Sequence, residues 1–420
     1  MKIKISVVGA GLMGQQHIKA IKKSKKALLH SIVTVNNNST YLSKKFNVPL
    51  FKNIKELLIK NKPDAAIVAT PNQLHKINTI SFLKSKIPVL LEKPISDSFT
   101  SAKKILDCYK TNNTPLLIGF HRRYNSNVTK VKHQIESGKL GKIVSANIMC
   151  WFYKHKEYYN YKWRIKKGGG PLAINLVHDI DLICYLLGSV KFVQAFTSNS
   201  TRRFEVEDTA SVNLTFYSGA LCTLNLSDTI VAPWSYELTA GENPVYPKTS
   251  QSAYYIGGTK GSIQFPNISL WNYKSKRSWW KKISNKKESI QFSNKTLTNQ
   301  IDHFCDVVKK KAKPKVNIYD GFTSMKILNA ILKNYLFDLK EKFSLIPCLA
   351  VILVGNNKAS EIYVRNKEAK AKEIGIKSKV IRIPIDVKEN ELITTIKECN
   401  ENENIDGILV QLPLPTQIDP

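Results

Sequence analysis

Arginine is scarce. Only eight of the 64 basic residues are Arg and the other 56 are Lys, which with 32 acidic residues leaves a net charge of +32. Nucleic-acid readers favour Arg for its bidentate fork and gather charge on one face, whereas these lysines run the length of the 420-residue chain. The excess reads as compositional background, and no specific nucleic-acid partner is expected. Cysteine is sparse as well: residues 108, 150, 184, 222, 305, 348 and 399 are odd in number and never form a CxxC pair. That spacing argues against a disulfide framework or a zinc site and fits a reducing cytoplasm. No metal is expected. Long apolar runs are missing too, since the longest, residues 344–355, falls short of the roughly 20 that a spanning helix needs. The apolar start of the chain is broken by three spaced glycines and leads straight into a helical pattern, unlike a secretory leader. No membrane partner is expected. What is present is a globular composition, 43% hydrophobic and 23% charged, long enough for two to four domains at about 100–200 residues each.

Up to about residue 120 the chain alternates short β-branched runs with helical patterns. Strands are expected at 3–8, 31–35, 65–69, 89–91 and 116–119, which is the grammar of a parallel α/β sheet. From about 143 the pattern changes to period-two alternation, as in Ser211–Phe216 and Cys222–Leu226, and reads as strands with one buried face in a large, mostly antiparallel open sheet. Helices near 296–311 and 320–340 close this part. Near Leu345 a second βαβαβ run starts, with strands at 347–355, 379–383 and 407–412. The expected fold class is therefore α/β: a doubly wound parallel Rossmann domain (1–122), an α/β domain on a large open sheet (123–335) and an incomplete α/β fragment (336–420).

Gly9-Ala10-Gly11-Leu12-Met13-Gly14 follows an expected strand and opens an expected helix. Gly9 suits the tight turn, Gly11 lets the backbone approach a pyrophosphate, and Gly14 allows close helix–sheet packing, while the helix N-terminus offers its N–H groups to phosphate. An acid that binds ribose is usual about 20 residues on. Asn36 stands there instead, an amide that neither demands nor repels a 2′-phosphate, so NAD and NADP both stay open.

Five further motifs follow in order. They are Ala69-Thr70-Pro71-Asn72-Gln73-Leu74-His75, Glu92-Lys93-Pro94, Trp163-Arg164, Gly168-Gly169-Gly170 and His178-Asp179-Ile180-Asp181. Over residues 2–335 the chain resembles the glucose–fructose oxidoreductase, inositol dehydrogenase and rhizopine-catabolism (Gfo/Idh/MocA) family. The resemblance implies an NAD(P)-dependent oxidoreductase acting on a hydroxyl carbon of a sugar, polyol or sugar-acid-like small molecule. Beyond the glycine turn, it places Thr70, Pro71, Asn72, His75, Glu92, Lys93, Trp163 and Arg164 at the cofactor. Separately, Trp271, Trp279 and Trp280 amid lysines read as a sheet-edge or subunit contact, and a homo-oligomer through the open sheet is expected.

Alcohol oxidation needs a base within about 3 Å of the hydroxyl proton. The resemblance assigns Lys93 to that hydroxyl, and its site at a strand end is where open α/β sheets bind ligands; the bland alternative is one more solvated lysine. His178, with a near-neutral pKa, is the second catalytic candidate, or else a packed helix histidine. Asn175, His178 and Asp181 share a helix face at i, i+3 spacing, so the carboxylate is expected to orient the imidazole and Asn175 to position substrate. Arg122 and Arg123 can fork a substrate carboxylate or phosphate, or merely solvate a linker. Polyol-oxidising members of the family carry an Asp four residues before the motif histidine, where this chain has Ile174. That departure, together with the basic charge, also supports a non-catalytic cofactor-binding sensor or scaffold.

The tail resembles a second family, methylenetetrahydrofolate dehydrogenase/cyclohydrolase. The match lies in Leu349–Gly355, Tyr363-Val364-Arg365-Asn366-Lys367 and Asp406–Pro415. It implies that Tyr363 stacks near a folate, that Lys367 is a catalytic lysine and that Gln411 supports it. The match covers only part of that family's first domain and lacks its catalytic aspartate segment and its NADP-binding domain. A catalytically inactive fragment is therefore the expectation, with folate one-carbon chemistry as the alternative.

Overall fold

A computed structural model of the chain describes residues 1–35, 40–288, 295–332 and 347–418. The chain divides into two compact units, Met1–Leu332 and Lys333–Pro420.

In the first unit, β1 (Ile3–Val8), β2 (Ala27–Val33), β3 (Leu50–Phe51), β4 (Ala65–Val68), β5 (Val89–Leu91) and β6 (Leu116–Ile118) form a sheet in the order β3-β2-β1-β4-β5-β6, with every pair parallel. Two details differ from the sequence reading. β2 begins at Ala27 rather than 31, since Ala27 and Leu29 point inward just after the basic Lys25-Lys26 pair; and the two-residue β3 is too short to leave a periodic signal. Both faces are covered. On one, Ile5 and Val7 pack with Ile18 and Ile21 of helix Leu12–Lys23 and with Ile301 and Phe304 of helix Thr296–Val308. Each such fully buried side chain contributes roughly 1.5–3 kcal/mol, so a late segment of the chain helps to complete the first sheet's core. The strand order reverses between β1 and β4, and a crevice at the strand carboxyl ends is the expected ligand site of such a sheet.

The second sheet comprises β7 (Ile143–Trp151), β8 (Val190–Ser198), β9 (Thr209–Phe216), β10 (Leu221–Ser227), β11 (Tyr254–Gly258), β12 (Gly261–Phe265), β13 (Ser269–Asn272) and β14 (Ser284–Lys287). Its order is β14-β13-β12-β11-β7-β10-β9-β8. All neighbours are antiparallel except β7 with β10. Val212, Leu214, Phe216, Cys222, Leu224 and Leu226 point to a face shared with Ile180 and Ile183 of helix Val177–Leu187 and with Leu328 and Ile331 of helix Ile318–Leu332. The opposite face carries polar cross-strand pairs, Asn147–Thr223 at 2.7 Å and Asn225–Ser211 at 2.8 Å, beside exposed Val144 and Phe196. Trp279 and Trp280 stand exposed between β13 and the edge strand β14.

In the second unit, β15 (Cys348–Val354), β16 (Lys377–Ile383) and β17 (Gly407–Gln411) form a parallel sheet in the order β16-β15-β17. Ala350, Ile352 and Val354 pack with Leu392 and Cys399 of helix Glu389–Glu401, while Val351 and Leu353 face Val364 of helix Lys358–Ile374. Among the described residues no helix is long and apolar enough to cross a membrane.

Candidate active site

The glycine turn is shaped by close approach. Gly9 has φ +97°, and a Cβ there would lie 2.5 Å from the Ala69 carbonyl oxygen, while a Cβ on Gly14 would lie 1.9 Å from the Gly9 oxygen. Gly11 differs, since nothing lies within 4 Å of the place its Cβ would take. Helix Leu12–Lys23 starts there with no side-chain cap, and Leu12 is exposed. An open backbone cradle at an uncapped helix N-terminus fits a pyrophosphate. Met13 is half-buried behind it. Asn36 lies outside the described residues.

Across the crevice Thr70 and Asn72 are half-buried and Pro71 is exposed. His75, expected at the cofactor, is instead fully buried, with its ring nitrogens 2.9 Å from the Pro94 carbonyl and 2.8 Å from that of Thr70. Burial lowers its pKa, so the ring is neutral and donates to only one of these carbonyls. It braces the loops after β4 and β5 rather than reaching a ligand. Glu92 is likewise turned inward, with Oε1 2.6 Å from Nε2 of the buried His17. Burial opposes its ionisation, but the His17 hydrogen bond and the Lys93 charge hold its pKa below the usual range. Its role is to fix Lys93, whose N–H it accepts at 3.2 Å.

Lys93 Nζ donates to the main-chain carbonyl of Ile174 at 2.8 Å. Burial, reinforced by Arg122 and Lys154 and opposed by Glu92 and Glu237, lowers its pKa from 10.5 to about 8. Ile174 belongs to a single π-helical turn, Leu172–Leu176, that precedes helix Val177–Leu187; such wide turns recur at functional sites. The turn is anchored by Glu207, which accepts the Leu172 N–H at 2.9 Å. His178 is 7% exposed and lies edge-on to Phe120 and His121, at centroid distances of 5.8 and 5.1 Å. Its Nδ1 has no hydrogen-bond partner. Burial, then the charges of Lys93 and Arg122, push its pKa well below the ordinary value, so the imidazole is neutral.

The expected partners of His178 are engaged elsewhere. Asp181 takes a bidentate bond from Arg123, Nε to Oδ2 at 2.9 Å and Nη2 to Oδ1 at 2.6 Å, and does not orient the imidazole. Arg122 bonds Asp179 and Glu237, both at 2.7 Å. The two arginines, 2% and 4% exposed, are thus internal ion pairs and not forks for a substrate, because burying a guanidinium demands a carboxylate beside it. Asn175 is buried next to Glu237 and favours its ionised form. Segments 234–237 and 241–244 read from the sequence as a strand and loop able to line the pocket, and Glu242 there takes bonds from Asn125 and Tyr236; Tyr254, whose hydroxyl bonds Asp179, was not assigned. For the two arginine pairs the available signal was charge matching, since His121-Arg122-Arg123 offers two cations and His178-Asp179-Ile180-Asp181 two anions. Trp163 is 53% exposed, and Arg164 stacks on Tyr158.

In the second unit Tyr363 is exposed, and the Lys367 ammonium lies 4.9 Å from its ring centroid and 3.5 Å from Gln411 Oε1.

Against known families, the profile described as "Oxidoreductase family, NAD-binding Rossmann fold" matches residues 3–120, and the "GFO/IDH/MocA C-terminal domain" matches residues 128–264. The chain belongs to the Gfo/Idh/MocA family. Its Gfo/Idh/MocA part is an NAD(P)-dependent oxidoreductase. Solved structures with the same fold include the WlbA dehydrogenase from Bordetella pertussis in complex with NADH and UDP-GlcNAcA, with TM-score 0.66 and 23% identity over 79% of this chain and 96% of that one. Another is an oxidoreductase from Agrobacterium radiobacter in complex with NAD+, L-tartaric acid and magnesium, with TM-score 0.69 and 17% identity over 79% and 96%.

Fused to this Gfo/Idh/MocA unit, residues 320–420 match the "Tetrahydrofolate dehydrogenase/cyclohydrolase, catalytic domain". The bifunctional protein FolD of Anaplasma phagocytophilum is 50% identical over 103 residues, 24% of this chain and 34% of that protein. FolD from a Wolbachia strain of Drosophila simulans is 55% identical over 80 residues, 19% and 27% respectively. The chain thus spans about a third of the length of these relatives. The match reaches back into helix Ile318–Leu332, whose apolar face is buried in the first unit.

Proposed function

We propose that the first unit transfers a hydride between nicotinamide and a hydroxyl-bearing carbon of a sugar, polyol or sugar acid, with Lys93 and His178 managing the hydroxyl proton. The observation that carries this reading is the state of Lys93: an ammonium with pKa about 8, held by a main-chain carbonyl beside a neutral His178. The Gly9–Gly14 turn, Thr70 and Asn72 would hold the dinucleotide, which supplies the hydride-accepting ring. Below pH 8 Lys93 is mostly protonated and stabilises negative charge on a substrate oxygen; above it, Lys93 accepts the proton. His178, neutral and with Nδ1 unpartnered, is a second proton acceptor at the same place. Subunit contact through the open face of the eight-stranded sheet is part of the proposal.

The test is cofactor reduction across sugars, inositols and sugar acids. Turnover of at least one, lost in Lys93→Met while NADH still binds, supports the assignment; unchanged turnover in Lys93→Met refutes it. A second reading rests on Tyr363, Lys367 and Gln411, which the tail brings together. Oxidation of 5,10-methylenetetrahydrofolate by the 420-residue chain, abolished by Lys367→Ala, is the result that would support it.

A further inference from the structure

Arg122 and Arg123 are consumed by internal carboxylates, so an anionic substrate would need other cations. Two stand on the segment that follows β7. Lys154 is 8% exposed, yet its ammonium rests on aromatic rings, 4.3 Å from the centroid of Phe152 and 4.6 Å from that of Tyr158. Arg164 contacts the same Tyr158 ring at 3.9 Å. Its Nη1 donates to the Tyr158 carbonyl at 2.6 Å, and its Nε is buried without a partner. Asp228 is committed to Arg202 at 2.7 Å. Glu237 bonds Arg122 through Oε1 at 2.7 Å while its Oε2 is buried without a hydrogen-bond partner, so Glu237 is the strongest opposite charge Lys154 feels but makes no ion pair with it.

Two cations against one ring, Lys154 buried and Arg164 half-buried, with no carboxylate among the described residues in an ion pair with either, are costly to hold. Burial lowers the Lys154 pKa and Arg164 lowers it further, with Glu237 opposing. The position is nonetheless fixed: the Lys154 N–H donates to the Asp228 carbonyl at 2.9 Å, and its own carbonyl accepts from Arg202 at 2.8 Å. The Lys154 charge also reaches the reacting end, since it helps to lower the pKa of Lys93.

We propose that Lys154, with Arg164 across the Tyr158 ring, binds the carboxylate of the substrate, so that the substrate is a hydroxy acid, such as a sugar acid, whose reacting hydroxyl faces Lys93. The inference rests on the oxidoreductase reading above and narrows its substrate class. It is tested on the full chain loaded with NADH, by fluorescence titration with matched pairs differing only in carboxylate against alcohol: D-glucuronate and D-glucose, L-tartrate and L-threitol, UDP-N-acetylglucosaminuronate and UDP-N-acetylglucosamine. In at least one pair the acid is expected to bind tenfold or more tighter. Lys154→Met should remove that difference and Lys154→Arg should keep most of it, with NADH affinity as the check on folding. Equal or undetectable binding within every pair, or a preference that survives Lys154→Met, overturns the proposal. Failure of the hydride-transfer reading looks different: the binding preference persists while no member of any pair is oxidised.

Discussion

Replacing Arg123 by Met is expected to damage the stability of the first unit rather than its affinity for substrate. Arg123 and Asp181 are 4% and 1% exposed and share a two-pronged bond. Even with the guanidinium present, burial lifts the Asp181 pKa from 3.8 to about 6. Removing one member of such a buried pair costs about 3–5 kcal/mol, because the remaining charge loses its compensation. Asp181 has a higher pKa folded than unfolded, so the folded state binds the extra proton. Stability therefore falls as pH rises through about 6 and recovers as pH drops toward the unfolded value. Without Arg123 the folded pKa rises further, so the deficit against wild type should be greatest above pH 6 and shrink at pH 5. Urea unfolding followed by tryptophan fluorescence at pH 7.5 and pH 5 measures this, and adding Asp181→Asn to Arg123→Met should restore part of the loss at pH 7.5. A deficit under about 1 kcal/mol at pH 7.5, the scale of an exposed pair, would refute the reasoning. So would an unchanged midpoint accompanied by a raised KM, which would return Arg123 to the substrate.

The two outer glycines of the turn should fail differently from the middle one. Gly14→Ala is expected to lower thermal stability, since its methyl would meet the Gly9 oxygen at 1.9 Å, whereas Gly11→Ala should fold normally and lose NADH affinity in a fluorescence titration. In the direction of alcohol oxidation, kcat/KM should climb through about pH 8 as Lys93 loses its proton, and a profile flat from about pH 6 to 9.5 would remove Lys93 as the titrating group. His178→Asn should lower kcat by roughly 10²–10⁴, the usual worth of a positioned proton acceptor, with NADH binding retained.

Much of this architecture is local and was readable in the chain. The glycine turn, the strand ends that carry Thr70 and Lys93, and the βαβαβ run of the tail all follow from periodicity and breakers within a dozen residues. The site's electrostatics are not local. His178 and Asp181 have the spacing to meet, but spacing says only which side chains can touch, and Arg123, 58 positions away from Asp181, makes the stronger claim on that carboxylate. Lys154 was indistinguishable from 55 other lysines until the fold laid it on Phe152 and Tyr158. Glu92 and His75 sit inside genuine motifs, yet they act by shaping loops, a distinction visible only once burial is known.

The tether between Lys93 and Ile174 is made by main chain on one side. Every amino acid presents the same carbonyl there, so the ammonium keeps its anchor whichever side chain occupies position 174. Substituting that residue therefore leaves the lysine in place and alters only what lies around it. Displacing Lys93 instead requires reshaping the π-helical turn itself, and Glu207, which accepts the Leu172 N–H at the start of that turn, is the side chain through which such a change would be made.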